Sequence, residues 1–152
     1  MNKSAILKIG LTLIAVVGIF FTIRLSYQPG VAEADGTITF VLKDETGEIV
    51  INDQIEFDTE KEDGTAVTLF DIIDSNYNIV CRNALSGAAD PECGEKSETI
   101  SGKVILSVEQ IETDFVTSYF AIYKNGEYAT KGISQLSFED GDVIELRYTG
   151  LD

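Results

Sequence analysis

Histidine and tryptophan are absent from this chain of 152 residues, which also has only two cysteines and one methionine. Histidine is the side chain that most often carries protons near neutral pH, and it is a common zinc ligand. Without it, a nucleophilic serine or cysteine would have to rely on lysine or a carboxylate for activation. We therefore expect no catalytic residues, no metal site and no enzymatic activity.

Carboxylates are the remaining candidates for acid–base chemistry. Pairs such as Asp140/Asp142 and Glu109/Glu112 could exchange protons in principle. Such pairs arise by chance in a strongly acidic chain, and the first pair flanks Gly141 in a turn signal, where aspartate is favoured for conformational reasons. We therefore prefer a structural role for these side chains.

Basic residues are scarce. The chain has 11 Lys and Arg against 26 Asp and Glu, and residues 35–152 carry 25 acidic and 8 basic side chains, a net charge of −17. Nucleic acids and anionic lipids are bound by basic surfaces. The composition therefore excludes a nucleic-acid partner and indicates a well-solvated surface rather than a dedicated cation site.

One long apolar run is present, at the N-terminus. Residues 9–23 contain no charge, and residues 5–23 form a run of nineteen if the Lys8 ammonium reaches the headgroups. A membrane-spanning helix needs about 20 apolar residues and a signal peptide about 7–15. Ala32-Glu33-Ala34 would permit cleavage after Ala34. Residues 1–25 are thus predicted to be a signal peptide or a transmembrane anchor, and residues 26–35 a linker.

The flanking charges predict the orientation. Lys3 and Lys8 precede the apolar run, so this side is expected in the cytoplasm and the rest of the chain outside. No cysteine follows the run directly, which excludes a lipoprotein anchor. The prediction is a cell-membrane protein with an extracellular C-terminal domain, held by residues 5–23 if they are uncleaved, or a secreted protein.

The two cysteines are Cys81 and Cys93. In an exported chain an even pair predicts a disulfide, whereas two thiolates without histidine would not complete a zinc site. The bridge would close a segment rich in Gly, Ser, Ala and acidic residues. Residues 84–101 are accordingly predicted to be an irregular loop, either functional or a variable insertion.

The remaining pattern predicts an α+β domain over residues 36–150. Alternating apolar positions indicate strands at residues 37–43, 48–57, 103–108 and 142–148. Thr68 and Asp71 form a capping-box pattern before an apolar stripe of helical spacing. Asn125-Gly126 predicts a tight hairpin between residues 118–124 and 127–129. Together these elements predict a β-grasp-like mixed sheet with one crossing helix, preceded by the N-terminal hydrophobic helix.

Three stretches carry a family resemblance. They are YFAIYKNGEYATKGI at residues 119–133 followed by DGDVIE at 140–145, GTAVTLFDII at 64–73 and GKVILSVEQI at 102–111. In order and spacing they resemble the transcobalamin-like C-terminal domain, a β-grasp-like module of bacterial surface proteins, over residues 36 to 148. The resemblance implies the same fold, and cobalamin as a possible ligand, because the relatives that name the family bind it.

The tyrosines of the hairpin are the candidate binding residues. Tyr119 and Tyr123 share one face of the predicted strand, Phe120 and Ile122 share the other, and the latter pair is expected to cover the helix. The predicted ligand-binding set is therefore Tyr119, Tyr123, Asn125 and Tyr128, although cross-strand packing would also account for the tyrosines. The predicted function is a non-catalytic extracytoplasmic module that binds a small ligand or a protein; the alternative is a structural or adhesive envelope domain.

Overall fold

Eleven short strands and one α-helix make up the C-terminal domain in the computed structural model, which describes residues 10, 12–19, 29–99 and 102–151. The strands are β1 (Gly36–Lys43), β2 (Ile49–Phe57), β3 (Ile79–Arg82), β4 (Ala89–Asp90), β5 (Glu98–Thr99), β6 (Gly102–Lys103), β7 (Ile105–Val108), β8 (Ile111–Glu112), β9 (Ser118–Lys124), β10 (Glu127–Tyr128) and β11 (Val143–Gly150). Helix α1 spans Leu69–Asn76 and a 3₁₀ turn spans Glu95–Ser97. The predicted α+β class is confirmed.

The main sheet has five strands in the order β10-β9-β11-β1-β2. Its two central strands, β1 and β11, are parallel, with Phe40 opposite Ile144 and Leu42 opposite Leu146. The other neighbouring pairs are antiparallel. Because β1 and β11 come from opposite ends of the domain, their pairing joins the N-terminal hairpin β1–β2 to the C-terminal strands. The hairpin β9–β10 lies on the other side of β11.

A second sheet corrects the predicted single sheet. Strand β3 was not predicted, and it pairs with both β4 and β7, giving the order β4-β3-β7-β8. The predicted strand at residues 103–108 therefore does not join the main sheet. It divides into β6 and β7, and β6 pairs separately with β5.

Two predicted boundaries are also wrong. Residues 84–101 are not one irregular loop, because β4, the 3₁₀ turn and β5 lie within the described part of this segment. The last strand begins at Val143, not at residue 142, because the Asp142 side chain accepts the Glu139 N–H and closes the preceding turn.

The predicted disulfide between Cys81 and Cys93 is confirmed. Cys81 lies in β3 and Cys93 follows β4, and both are almost completely buried. The bridge therefore fastens the segment after β4 to the second sheet.

The core lies between the main sheet, α1 and the second sheet. Its members with the least exposure are Ile38, Phe40, Leu42, Leu69, Phe70, Ile73, Cys81, Cys93, Val108, Ile133, Ile144 and Leu146. All buried hydrophobic residues of the described chain lie between Ala32 and Leu146. The core cluster includes Ala32, which precedes β1, so it extends beyond residues 36–150.

The N-terminal apolar run is described only in part. Residues 10 and 12–19 are helical, and their large side chains, such as Leu13 and Ile14, are exposed. Within the described residues, no helix is both long and apolar enough to cross a lipid bilayer. The predicted hydrophobic helix over residues 5–23 includes residues outside that description and stays a prediction. The predicted cleavage after Ala34 also stays a prediction.

Helix α1 begins with the predicted capping box. The Thr68 hydroxyl accepts the Asp71 N–H at 3.3 Å, and the Asp71 carboxylate accepts the Thr68 N–H at 2.9 Å. Two N–H groups that the helix cannot pair internally are satisfied in this way. Burial of Leu69, Phe70 and Ile73 then holds the helix against the sheet.

Thr68→Ala is expected to lower the free energy of unfolding by about 1 kcal/mol, because both reciprocal bonds are weakened. Urea unfolding followed by circular dichroism measures the change. Thr65→Ala is the matched control, since the Thr65 hydroxyl donates only to Asp63 in an exposed turn, and its effect should stay within about 0.5 kcal/mol. Equal effects for the two variants would contradict the capping role.

Candidate functional site

The hairpin β9–β10 forms one wall of the candidate site. Asn125 and Gly126 have φ values of 52° and 83°, the left-handed conformation that the predicted type I′ turn requires. Strand β10 pairs only with Tyr123 and Lys124, so it leaves most of the outer edge of β9 uncovered. After Tyr128 the Ala129 N–H donates to Ile122, and the chain then turns across this edge.

A cleft of about 220 Å³ opens there, between β9, residues 129–133 and the β6–β7 segment. We call it the β9 cleft. Its lining residues are Lys103, Val104, Ile105, Phe115, Tyr119, Phe120, Ile122, Tyr128, Ala129, Thr130, Lys131, Gly132, Ile133 and Leu146. The floor is apolar, because Ile105, Phe120, Ile133 and Leu146 are also core residues. A concave, apolar site with a few polar groups at its rim is the usual form of a small-molecule site.

The faces of β9 agree in part with the prediction. Phe120 is buried against the core as predicted. Tyr119 and Tyr123 are half-buried, whereas an exposed position was predicted for both. Two side chains cover the Tyr123 ring. Arg147 lies over it with Cζ 4.2 Å from the ring centroid, and the Tyr128 ring meets it edge-on at a centroid distance of 5.7 Å.

The predicted tyrosines divide between two environments. Tyr119 and Tyr128 line the β9 cleft, and Tyr128 keeps 57% of its surface exposed at the rim. Partial burial, followed by the neighbouring Tyr128 hydroxyl, raises the pKa of Tyr119 above its ordinary value of 10.0. Its hydroxyl is thus a neutral donor and acceptor at physiological pH. Tyr123 does not line the cleft but supports the Tyr128 ring from the side.

Asn125 is held by the fold. Its amide nitrogen donates to Asp142 at 2.7 Å, and its carbonyl oxygen accepts the Val143 N–H at 2.8 Å. Lys124 also lies 2.7 Å from the Asp142 carboxylate. These contacts join the hairpin turn to the start of β11, and they position the rim residue Tyr128, three residues after Asn125.

Sequence reasoning did not identify the opposite wall. Lys103, Ile105 and Phe115 come from segments that precede the hairpin, and Ile133 follows it. Of these wall residues, only Ile133 belongs to the stretch 119–133 that contains the predicted binding residues. The residues on both walls meet because β7 belongs to the second sheet, whose pairing with β3 was not predicted.

The acidic pairs considered in the sequence have structural contacts. Asp140 accepts the Thr37 N–H at 2.8 Å, Asp142 accepts the Glu139 N–H, and Glu109 accepts the Asn78 N–H at 2.9 Å. In the part of the chain that the structure describes, no three Asp, Glu or Cys side chains converge as a metal site would need.

No protein-family model matches the chain, and no curated protein sequence matches it. Several solved structures are similar to it, including the following two. One, from Ruminococcus gnavus ATCC 29149, is described as a "putative metal binding protein"; it is 26% identical, with a TM-score of 0.47, over 79% of this chain and all of that one.

The second is haptocorrin in complex with Cbi, 8% identical with a TM-score of 0.52. The match covers 79% of this chain but only 26% of haptocorrin, so this chain spans about a quarter of that protein's length. At this identity the likeness concerns the fold alone. It supports the resemblance to the transcobalamin family at the level of fold.

Proposed function

We propose that this chain is a non-catalytic binding module with a β-grasp-like domain, displayed outside the cell membrane or secreted, and that a small ligand binds in the β9 cleft. The observation that carries the proposal is the cleft itself. It has an apolar floor formed by Phe120 and Ile133, and an aromatic rim formed by Tyr119 and Tyr128. The fold likeness to haptocorrin, a protein solved with a bound ligand, is consistent with it.

The size of the cleft limits the ligand. Sites for drug-sized molecules usually measure about 300–1,000 Å³, and the β9 cleft measures about 220 Å³. A flat molecule of one or two rings fits this volume, whereas a corrin could only lie across the opening. Cobalamin therefore enters the proposal through the fold likeness alone. Titration of the full chain with cobalamin, followed by absorbance, tests whether cobalamin is a ligand. An absorbance change that never saturates would exclude it.

The first test of the cleft uses 2-naphthamide, a flat and uncharged probe. At about 0.3 kcal/mol per non-hydrogen atom, its Kd would lie near 1 mM. A ¹H–¹⁵N chemical-shift titration of the full chain is expected to move the amide signals of Phe120, Ile122 and Ile133 with one common saturation curve. Scattered shifts that do not saturate would leave the structural or adhesive envelope domain as the better proposal.

Tyr128→Ala is expected to raise the Kd for 2-naphthamide about fivefold, because loss of the rim ring removes an aromatic contact of about 1 kcal/mol. Tyr128 is exposed, so the free energy of unfolding should hardly change. Tyr128→Phe keeps the ring and should bind like the native chain. Leu85→Ala is the control away from the cleft, since Leu85 is 97% exposed and does not line it. A Tyr128→Ala variant with unchanged affinity would contradict a role of the rim.

A further inference from the structure

The β9 cleft differs in charge from the rest of the domain. Residues 35–152 carry 25 acidic and 8 basic side chains, so acidic residues would be expected among any fourteen lining residues. The lining of the β9 cleft instead contains two lysines, Lys103 and Lys131, and no Asp or Glu. In a strongly acidic domain, this is a local reversal of charge at the one cleft proposed to hold a ligand.

The two lysines also differ from the three lysines of the described chain that form ion pairs. Lys43, Lys61 and Lys124 each lie 2.7–2.9 Å from a carboxylate. Neither Lys103 nor Lys131 forms an ion pair with any residue in the described ranges. An ammonium without a carboxylate partner keeps its charge available for a ligand.

Lys103 is positioned by the fold. Its backbone N–H donates to the Ser134 hydroxyl at 3.2 Å, and its Nζ lies 4.5 Å from the centroid of the Phe70 ring. The face of an aromatic ring attracts a cation without neutralising it. Lys103 lines both the β9 cleft and a neighbouring groove, whose lining includes Phe70, Asp71 and Glu98. Asp71 is already paired with Lys61.

Lys131 lies on the segment that crosses the edge of β9, and it is exposed. It borders both the β9 cleft and the adjoining groove, which also contains Glu127. Its long side chain can reach a ligand at the opening. The backbone of this segment is anchored by Ile133, two residues further on, which is buried.

From these observations we propose that the ligand of the β9 cleft is a flat, mostly apolar molecule that carries one anionic group, such as an aromatic carboxylate. The ring system lies on the apolar floor between Tyr119 and Tyr128, and the anionic group faces Lys131 and Lys103. This inference rests on the proposed function. At about 0.15 M salt, charges more than about 8 Å apart are largely screened, so carboxylates farther than this from the cleft have little effect on the ligand.

The test compares 2-naphthoate with 2-naphthamide, which have nearly the same shape and differ in charge. Both are titrated into the full chain at 0.15 M salt and followed by the amide shifts of cleft residues. We expect 2-naphthoate to bind about three- to tenfold more tightly. In Lys131→Gln this ratio should fall to below about two, and Lys103→Gln should lower it as well. Lys96→Gln, an exposed lysine outside the lining, should keep the native ratio.

Each outcome has a distinct meaning. Equal affinity of the two probes for the native chain would overturn the anionic ligand while the small-ligand function stands. Saturable binding of neither probe would overturn both. An equal loss of preference in Lys96→Gln would show a general charge effect and would also overturn the assignment to Lys131 and Lys103. Unfolding of each variant is measured in parallel, so that a folding defect in Lys103→Gln is recognised. If that variant is defective, the result for Lys131→Gln decides whether the lysines cause the preference for 2-naphthoate.

Discussion

Asp142→Ala is expected to destabilise the domain by about 2–3 kcal/mol, because it removes a buried carboxylate to which three donors are bonded. The Asp142 side chain is only 3% exposed. It lies 2.7 Å from the Lys124 ammonium, accepts the Asn125 amide at 2.7 Å and accepts the Glu139 N–H at 2.8 Å. Urea unfolding of the variant and the native chain measures the loss.

The reason for so large an effect is the position of the network. Asp142 joins the turn of the hairpin to the start of β11, which is paired with both β9 and β1. Without the carboxylate, the Glu139 N–H and the Asn125 amide lose their acceptor. Both residues are exposed, so water replaces part of the lost bonding, and each bond to a charged group contributes about 1.5–3 kcal/mol at most. Asp140→Ala is the matched control, since Asp140 is exposed and accepts one N–H from Thr37. A comparable loss in both variants would contradict the central role of Asp142.

The same network predicts a pH dependence. Burial raises the pKa of Asp142, but the bonds from Lys124, Asn125 and Glu139 outweigh it and hold the pKa below its ordinary value of 3.8. A carboxyl whose pKa is lower in the folded state contributes stability above its unfolded pKa, and this contribution is lost as the pH falls through the folded pKa. The native chain should therefore lose more stability than Asp142→Asn below about pH 4. Parallel curves for the two proteins would exclude this titration.

Local signals in the sequence predicted the parts of the fold that depend on neighbours in the chain. Asn125-Gly126 fixed the register of β9 with β10, because both residues must adopt positive φ. Thr68 and Asp71 marked the start of α1 through bonds three residues apart. These features need no knowledge of the rest of the molecule.

The second sheet could not be predicted in the same way. Strand β3 has only four residues, and its partners β4 and β7 are assembled by contacts from distant positions. The Ala84 N–H, for example, donates to Lys96 across the segment predicted to be irregular. Such pairing leaves no periodic signal in a strand of this length.

The candidate site shows the same division. Tyr119 and Tyr128 were predicted because aromatic residues stood out beside a turn signal. Lys103 and Phe115 were not, because they come from segments that precede the hairpin and reach the cleft only through tertiary packing. The chemical character of the cleft, and above all its positive charge, therefore becomes visible only in three dimensions.

The last prediction concerns the bridge that holds this second sheet. The double variant Cys81→Ala/Cys93→Ala is expected to lower the free energy of unfolding by about 3 kcal/mol. A disulfide that closes a loop of this length lowers the conformational entropy of the unfolded chain, which destabilises the unfolded state by about this free energy. For a domain of this size the melting temperature should fall by roughly 10–15 °C. Thermal unfolding of the variant, and of the native chain with a reducing agent, should give similar decreases.

The position of the destabilised segment distinguishes loss of the disulfide from a general loss of core packing. Cys93 follows β4, and the segment from Ala84 to Ser97 is joined to β3 by the bridge and by the pairing of β4 with β3. Amide hydrogen exchange should therefore accelerate first in this segment, while β1 and β11 keep their protection until the whole domain unfolds. Uniform acceleration across both sheets, or a melting temperature within 2–3 °C of the native value, would contradict this role, because either result would mean that pairing within β3, β4 and β7 holds the segment without the disulfide.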